Sequence, residues 1–213
     1  MSRCHSERSE QHGDGEKTTL WQEAKNALVN LAQKAVQYDD DGIDIYFLNN
    51  TKSGRGLKTR EDVEKLFNGI SPKRGTPVAS RLNDVIGEYL KKSKKPLKKL
   101  NVVVITDGYP SDNPKLVIAE LVRKMVKLRM ERDRVGIQFV QIGNDKGAQR
   151  YLKELDDDEG LNNIARDIVD TTQYTKGPLD ANPDTLIKIL LGGIHRRVDV
   201  EGAPAAMYPD DDR

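Results

Sequence analysis

Leu20, Ala24, Leu28, Leu31 and Ala35 stand three or four positions apart, and Trp21, Ala27, Ala32 and Val36 widen the stripe they draw. That spacing predicts a helix with one face in a core, beginning near Lys17 and stopped near Gly42. At 43 to 49, "IDIYFLN" alternates and then turns continuously apolar, as a strand covered on both faces does. "NTKSGRG" reads as a loop. A short helix over 60–69 follows, then a longer one from Thr76 to about Leu90 with Val78, Leu82, Val85, Ile86 and Tyr89 on one face. "NVVVITDG", from residue 101, is the clearest strand: apolar and β-branched residues run straight into an acid and a glycine. Beyond it the pattern predicts a helix from Pro114 to Arg132, a strand in "VGIQFVQIG" and a helix near 145–155. A short strand at Ile168 and Val169 comes next, and a helix built on Leu186, Ile187, Leu190, Leu191 and Ile194 closes the pattern. Residues 1–15 carry almost no apolar side chains and read as disordered, and 200–213 reads as a loose tail. One domain is therefore expected over 16–199.

Strands that alternate with helices of ten or more residues call for an α/β fold: a Rossmann-like, mainly parallel sheet with helices on both faces. The strands near 43–49, 101–107 and 135–142 are expected to lie parallel in that one sheet. Ligands bind such sheets at the carboxyl ends of the strands. Asp107 falls at that end of the clearest strand.

The chain has 213 residues, 36% hydrophobic and 32% charged, which is enough apolar material for one sizeable core. A net charge of +1 gives no general attraction to nucleic acid, membrane or acidic substrates. Cys4 is the only cysteine, so an intramolecular disulfide and a cysteine zinc cage are excluded, and a reducing compartment is the natural setting. With no signal-like or membrane-spanning apolar run, the expected location is intracellular, in the cytoplasm.

Several chemistries can be set aside. No strand is followed by G-x-G-x-x-G, and in "SGRGLKT" Leu57 breaks the Gly-Lys-Thr adjacency that a phosphate loop needs. The nucleophile elbow G-x-S-x-G does not occur. His5, His12 and His195 lie in the tails without a carboxylate constellation. "KKSKKPLKKL" has no interleaved arginine or aromatic residue for base stacking, and reads as a solvated helix end in keeping with the helix dipole. "LDDDEG" reads as a solvated turn. Thr76 followed by Pro77 looks like a helix cap with proline at the first helical position. A threonine hydroxyl and the Asp107 carboxylate at one sheet edge are also hard oxygen ligands of the kind magnesium prefers.

"LWQEAKNAL", "GIDIYFLNN", "GTPVASRL", "VVVITDGYPSD" and "IQFVQIG", in that order, resemble consecutive elements of the von Willebrand factor type A domain, especially its intracellular fungal members. The resemblance spans roughly residues 17–198. It implies a metal-ion-dependent adhesion site at the carboxyl edge of the sheet, where a divalent cation takes an acidic side chain from a protein partner. The family's metal residues carry over to Thr76 and Asp107. Its opening motif, an apolar central strand running into Asp-x-Ser-x-Ser, does not carry over. Ahead of Lys17 stands "MSRCHSERSEQHGDGE", whose nearest imitation is Glu7 and Ser9 with Gln11 where the last serine belongs. The resemblance therefore implies a degenerate, weakly magnesium-binding site and a sheet without its central strand. The neighbouring strands are then expected to expose apolar faces and unpaired backbone groups. The chain is read as a truncated or mis-spliced form, or as one whose gap another segment or chain fills.

The function expected from all this is a non-enzymatic protein-interaction domain that binds neither nucleic acid nor membrane. The alternatives are a metal-dependent phosphoryl-transfer enzyme using Asp107 on a related parallel sheet, and a truncated product without function. Asp145, beyond its strand in a helix start, offers the enzyme no second acid.

Overall fold

A computed structural model describes residues 19–37, 40–91, 98–131, 133–157, 168–174 and 188–190 of the chain. Residues 1–15 and 200–213, for which disorder and a loose tail are expected, most of the lysine run, the second half of "LDDDEG" and the three histidines lie outside them.

Helix α1 spans Leu20–Ala35 and starts where Thr19, in extended conformation, accepts a hydrogen bond from the Gln22 N–H. Its buried face carries Ala27, Val29, Leu31 and Ala32. Gly42, at φ 77°, then turns the chain into β1, Ile43–Tyr46; a Cβ there would stand 2.7 Å from the Leu57 carbonyl oxygen. Strand β2, Ser53–Leu57, pairs antiparallel with β1. Helix α2, Arg60–Phe67, opens on a capping box in which the Thr59 hydroxyl and the Asp62 carboxylate each accept from the other's backbone N–H. A hydrogen bond from the Lys58 N–H, followed by the Thr59 contacts, holds the Asp62 carboxyl below its usual range.

The remaining elements alternate. Helix α3 is Val78–Lys91, β3 is Leu100–Thr106, α4 is Pro114–Lys127, β4 is Val135–Ile142, α5 is Lys146–Asp156 and β5 is Val169–Tyr174. Strands β3, β4 and β5 form one parallel sheet in that order. Every residue of β4 is buried, as a middle strand between two helical layers requires. On one face Val104, Ile137 and Phe139 pack against α3, α4 and α5 through Leu82, Ile118 and Leu152. On the other, Val103, Ile105 and Val140 meet Ala27 and Leu31 of α1, with Ile189 and Leu190 of a short helical stretch. The fold is thus α/β, with a three-stranded parallel sheet between helices. Among the described residues, no helix is long and apolar enough to cross a membrane.

Three expectations are corrected. The strand at 43 is not part of the parallel sheet; it pairs antiparallel with β2, in a separate two-stranded sheet. The second strand comes from "NTKSGRG", which reads as a loop because Gly54 and Gly56 carry no side chains to show a period. At Gly54 an added Cβ would collide with Leu57 and Leu66, so glycine lets α2 close over the hairpin. Helix α4 stops at Lys127 rather than Arg132. Arg129 takes the left-handed conformation at φ 51°, and the N–H groups of Met130 and Arg129 bond back to Met125 and Val126, the pattern of a helix stop.

Helix α1 covers the hairpin as well as the parallel sheet. Val29 and Ala32 of α1 pack on Ile45 and Phe47, while Trp21, Phe47 and Phe67 meet at tilted and edge-to-face angles with ring centroids 5.0 to 5.8 Å apart. From the other side, Glu88 of α3 accepts from Tyr46 Oη at 3.0 Å and from Arg55 at 2.7 Å. An ion pair between Asp41 and Lys98 joins the amino-terminal approaches to β1 and β3 and holds the Asp41 carboxyl below its usual range.

Candidate functional site

At the carboxyl end of the parallel sheet, β3 gives way to the loop 107–113, and the loop 70–77 comes alongside. The two are locked together. The Thr76 N–H donates to Ser111 Oγ at 3.1 Å, and the Ser111 N–H returns a bond to the Thr76 carbonyl at 2.9 Å. Gly75, at φ 89°, makes the turn that brings the Thr76 backbone round to Ser111. Asn49, just past β1, donates to the carbonyls of Arg74 and Gly75. Arg81 donates to the carbonyls of Leu48 and Asn50, and its Nε is buried without a partner. Loops from the hairpin, from α3 and from β3 thus converge on one edge.

Thr76 is not the helix cap that its sequence context suggests. Helix α3 begins at Val78, and the first intrahelical bond runs from the Arg81 N–H to the Pro77 carbonyl at 3.2 Å. Asp112 supplies the cap from across the loop contact: its oxygens accept from the N–H groups of Ala79 and Ser80 at 2.8 and 2.9 Å, and from Ser80 Oγ at 3.0 Å. A carboxylate there also complements the positive end of the helix dipole. The Thr76 hydroxyl is left without a hydrogen bond among the described residues.

Asp107 follows the last residue of β3 directly. Its side chain is exposed and makes no hydrogen bond or ion pair among the described residues. The turn beneath it is held by Thr106, whose hydroxyl bonds the Gly108 backbone at 3.1 Å. Both predicted residues therefore lie at the same edge, in two loops joined through Ser111, and no hydrogen bond links them to each other. Beside Asp107, Tyr109 stacks on Tyr151 of α5 with centroids 4.5 Å apart. Burial, with smaller contributions from Tyr109 and the Asp112 charge, pushes the Tyr151 hydroxyl up to about 12. Asp145 caps α5, accepting from the Ala148 N–H at 2.8 Å, as its place at a helix start predicts.

The sequence reading missed Ser111, Asp112, Asn49 and Arg81. Asp112 had a visible signal, since a polar pair before Asn113 and Pro114 marks a helix start. That signal points to α4, the next helix, whereas the carboxylate serves α3, which only tertiary structure reveals. Among the described residues, no three His, Cys, Asp or Glu side chains gather as a metal cluster. Among the described residues, the Asp107 carboxylate and the Thr76 hydroxyl are side-chain oxygens of this edge that take no part in its hydrogen bonds. The chain matches no protein-family model and no curated protein.

Proposed function

We propose that this chain is a non-enzymatic protein-interaction domain of the von Willebrand factor type A kind, meeting its partner through the carboxyl edge of the parallel sheet. The observation that carries this reading is the state of Asp107: an exposed carboxylate without a partner among the described residues, at the end of a half-buried strand, in a loop fastened to the Thr76 loop. A free charge on a braced loop suits recognition, because little ordering remains to be done on binding. Among the described residues, the two other acids of this edge, Asp112 and Asp145, serve as helix caps, which favours the interaction reading over phosphoryl transfer.

The donor set fits a magnesium ion only in part. Thr76 and Asp107 would supply two of about six oxygen ligands, the rest being water or a partner's carboxylate. Such a site holds the ion weakly and contributes orientation rather than affinity.

The reading is tested by site-specific photo-crosslinking in cells. A photoreactive residue at Leu116, exposed in the first turn of α4, is compared with one at Gln33, exposed on α1. Discrete protein adducts from position 116 that disappear with Asp107→Ala, in a chain that still folds, are the expected result. Adducts indifferent to Asp107→Ala, or equal at position 33, would overturn it.

A further inference from the structure

An aspartate stands two positions ahead of a tyrosine twice in this chain, in Asp44-Ile45-Tyr46 and in Asp107-Gly108-Tyr109. The first pair, on β1, is filled. The Arg55 guanidinium lies 4.6 Å from the centre of the Tyr46 ring, and its Nη1 donates to Asp44 Oδ2 at 3.0 Å. The negative face of the ring and the carboxylate thus hold one planar cation between them, and Glu88 adds a third contact.

The second pair holds no cation among the described residues. Asp107 is exposed, and Tyr109 is 59% exposed although its ring leans on Tyr151 at a tilt of 54°. The backbone between them is braced, since the Thr106 hydroxyl bonds Gly108 and Ser111 ties the loop to Thr76. Two residues of chain separate the Cα atoms by no more than about 7 Å. One arginine spans that distance when its guanidinium lies within about 6 Å of the ring centre and turns its N–H edge to the carboxylate. Lys73 and Arg74, exposed in the facing loop, make no ion pair with Asp107 among the described residues, and Asn49 holds their backbone carbonyls.

We infer that Asp107 and Tyr109 receive an arginine side chain of the protein partner, as Asp44 and Tyr46 receive Arg55. The inference rests on the reading of this edge as a recognition surface and adds the chemistry of the partner, a basic segment. Arginine suits the pair better than lysine, because a flat guanidinium can lie along a ring and still present two N–H groups to a carboxylate. A magnesium ion on Asp107 would compete with the guanidinium for the same oxygens.

Nuclear magnetic resonance of the full chain, without magnesium, tests it with a glycine peptide that carries one central arginine, citrulline or glutamate. The arginine peptide should shift the Asp107 and Gly108 amides and the Tyr109 ring signals, saturating in the millimolar range. Citrulline, which keeps the shape without the charge, and glutamate should leave them in place. Asp107→Asn should weaken arginine binding about tenfold, and Tyr109→Leu about threefold, with the remaining amide signals unmoved. Equal shifts with citrulline, a stronger response to glutamate, or indifference to Asp107→Asn would overturn the inference. So would a contact in the free chain from any of its own arginines or lysines to the Tyr109 ring, which would show the pair filled from within. Photo-crosslinking from position 116 separates this inference from the reading beneath it. Adducts that need Asp107 but survive Tyr109→Leu would keep the edge as a recognition surface and sink the arginine contact, whereas adducts indifferent to Asp107 would sink the edge itself.

Discussion

Both oxygens of Asp112 are engaged by the first turn of α3. Asp107, five positions earlier, is the reverse case. Two aspartates in one loop thus divide the work of bracing and presenting. Replacing a capping carboxylate by alanine costs about 0.5–2 kcal/mol. Asp112→Ala should lower the urea-unfolding free energy by about 1 kcal/mol, while Asp107→Ala should leave it unchanged within error. Equal losses would mean that Asp107 carries structural bonds after all. Both places were partly legible in the sequence. A strand that ends in an acid marks a presentation point wherever the strand packs, so Asp107 could be found. A cap reached from another loop has no local pattern, so Thr76 took the credit for what Asp112 does.

The strongly periodic elements could be read directly: α1, α3, β3, β4 and α5 each show a clean spacing of apolar positions. What the spacing cannot say is which strand a strand joins. "IDIYFLN" is apolar enough for a parallel sheet, and the glycines of β2 conceal the antiparallel partner that captures it. The captured hairpin is fastened to α3 through Tyr46, whose hydroxyl donates to Glu88 and lies beside Arg55. Burial, reinforced by the bond to Glu88, pushes this tyrosine from the ordinary 10.0 up to about 12. A raised value in the folded chain means that folding favours the protonated form. Its contribution is complete below the ordinary tyrosine value and is lost as pH rises through the folded one. The denaturation midpoint should therefore fall as pH rises from 10.0 toward about 12, and Tyr46→Phe should flatten part of that fall. An identical slope in the variant would show that the Tyr46–Glu88 contact does not hold the hairpin.

Over the whole molecule, the two sheets of the described residues share helix α1 without sharing a ladder, and the loops of both converge on one edge. The general α/β order was legible because helices and strands alternate along the chain. The division into two sheets was not, since it depends on backbone pairing rather than on side-chain pattern. Among the described residues, Thr76 and Asp107 are the side chains predicted as ligands that reach this edge, from the loops after α2 and β3. The proposed function makes this edge a recognition surface with a degenerate metal site. Calorimetric titration of the chain with magnesium tests it most directly. Two protein ligands out of about six predict binding no tighter than the millimolar range, weakened further by Asp107→Ala. Micromolar or tighter affinity that Asp107→Ala abolishes would contradict the account, because it would require a complete coordination shell.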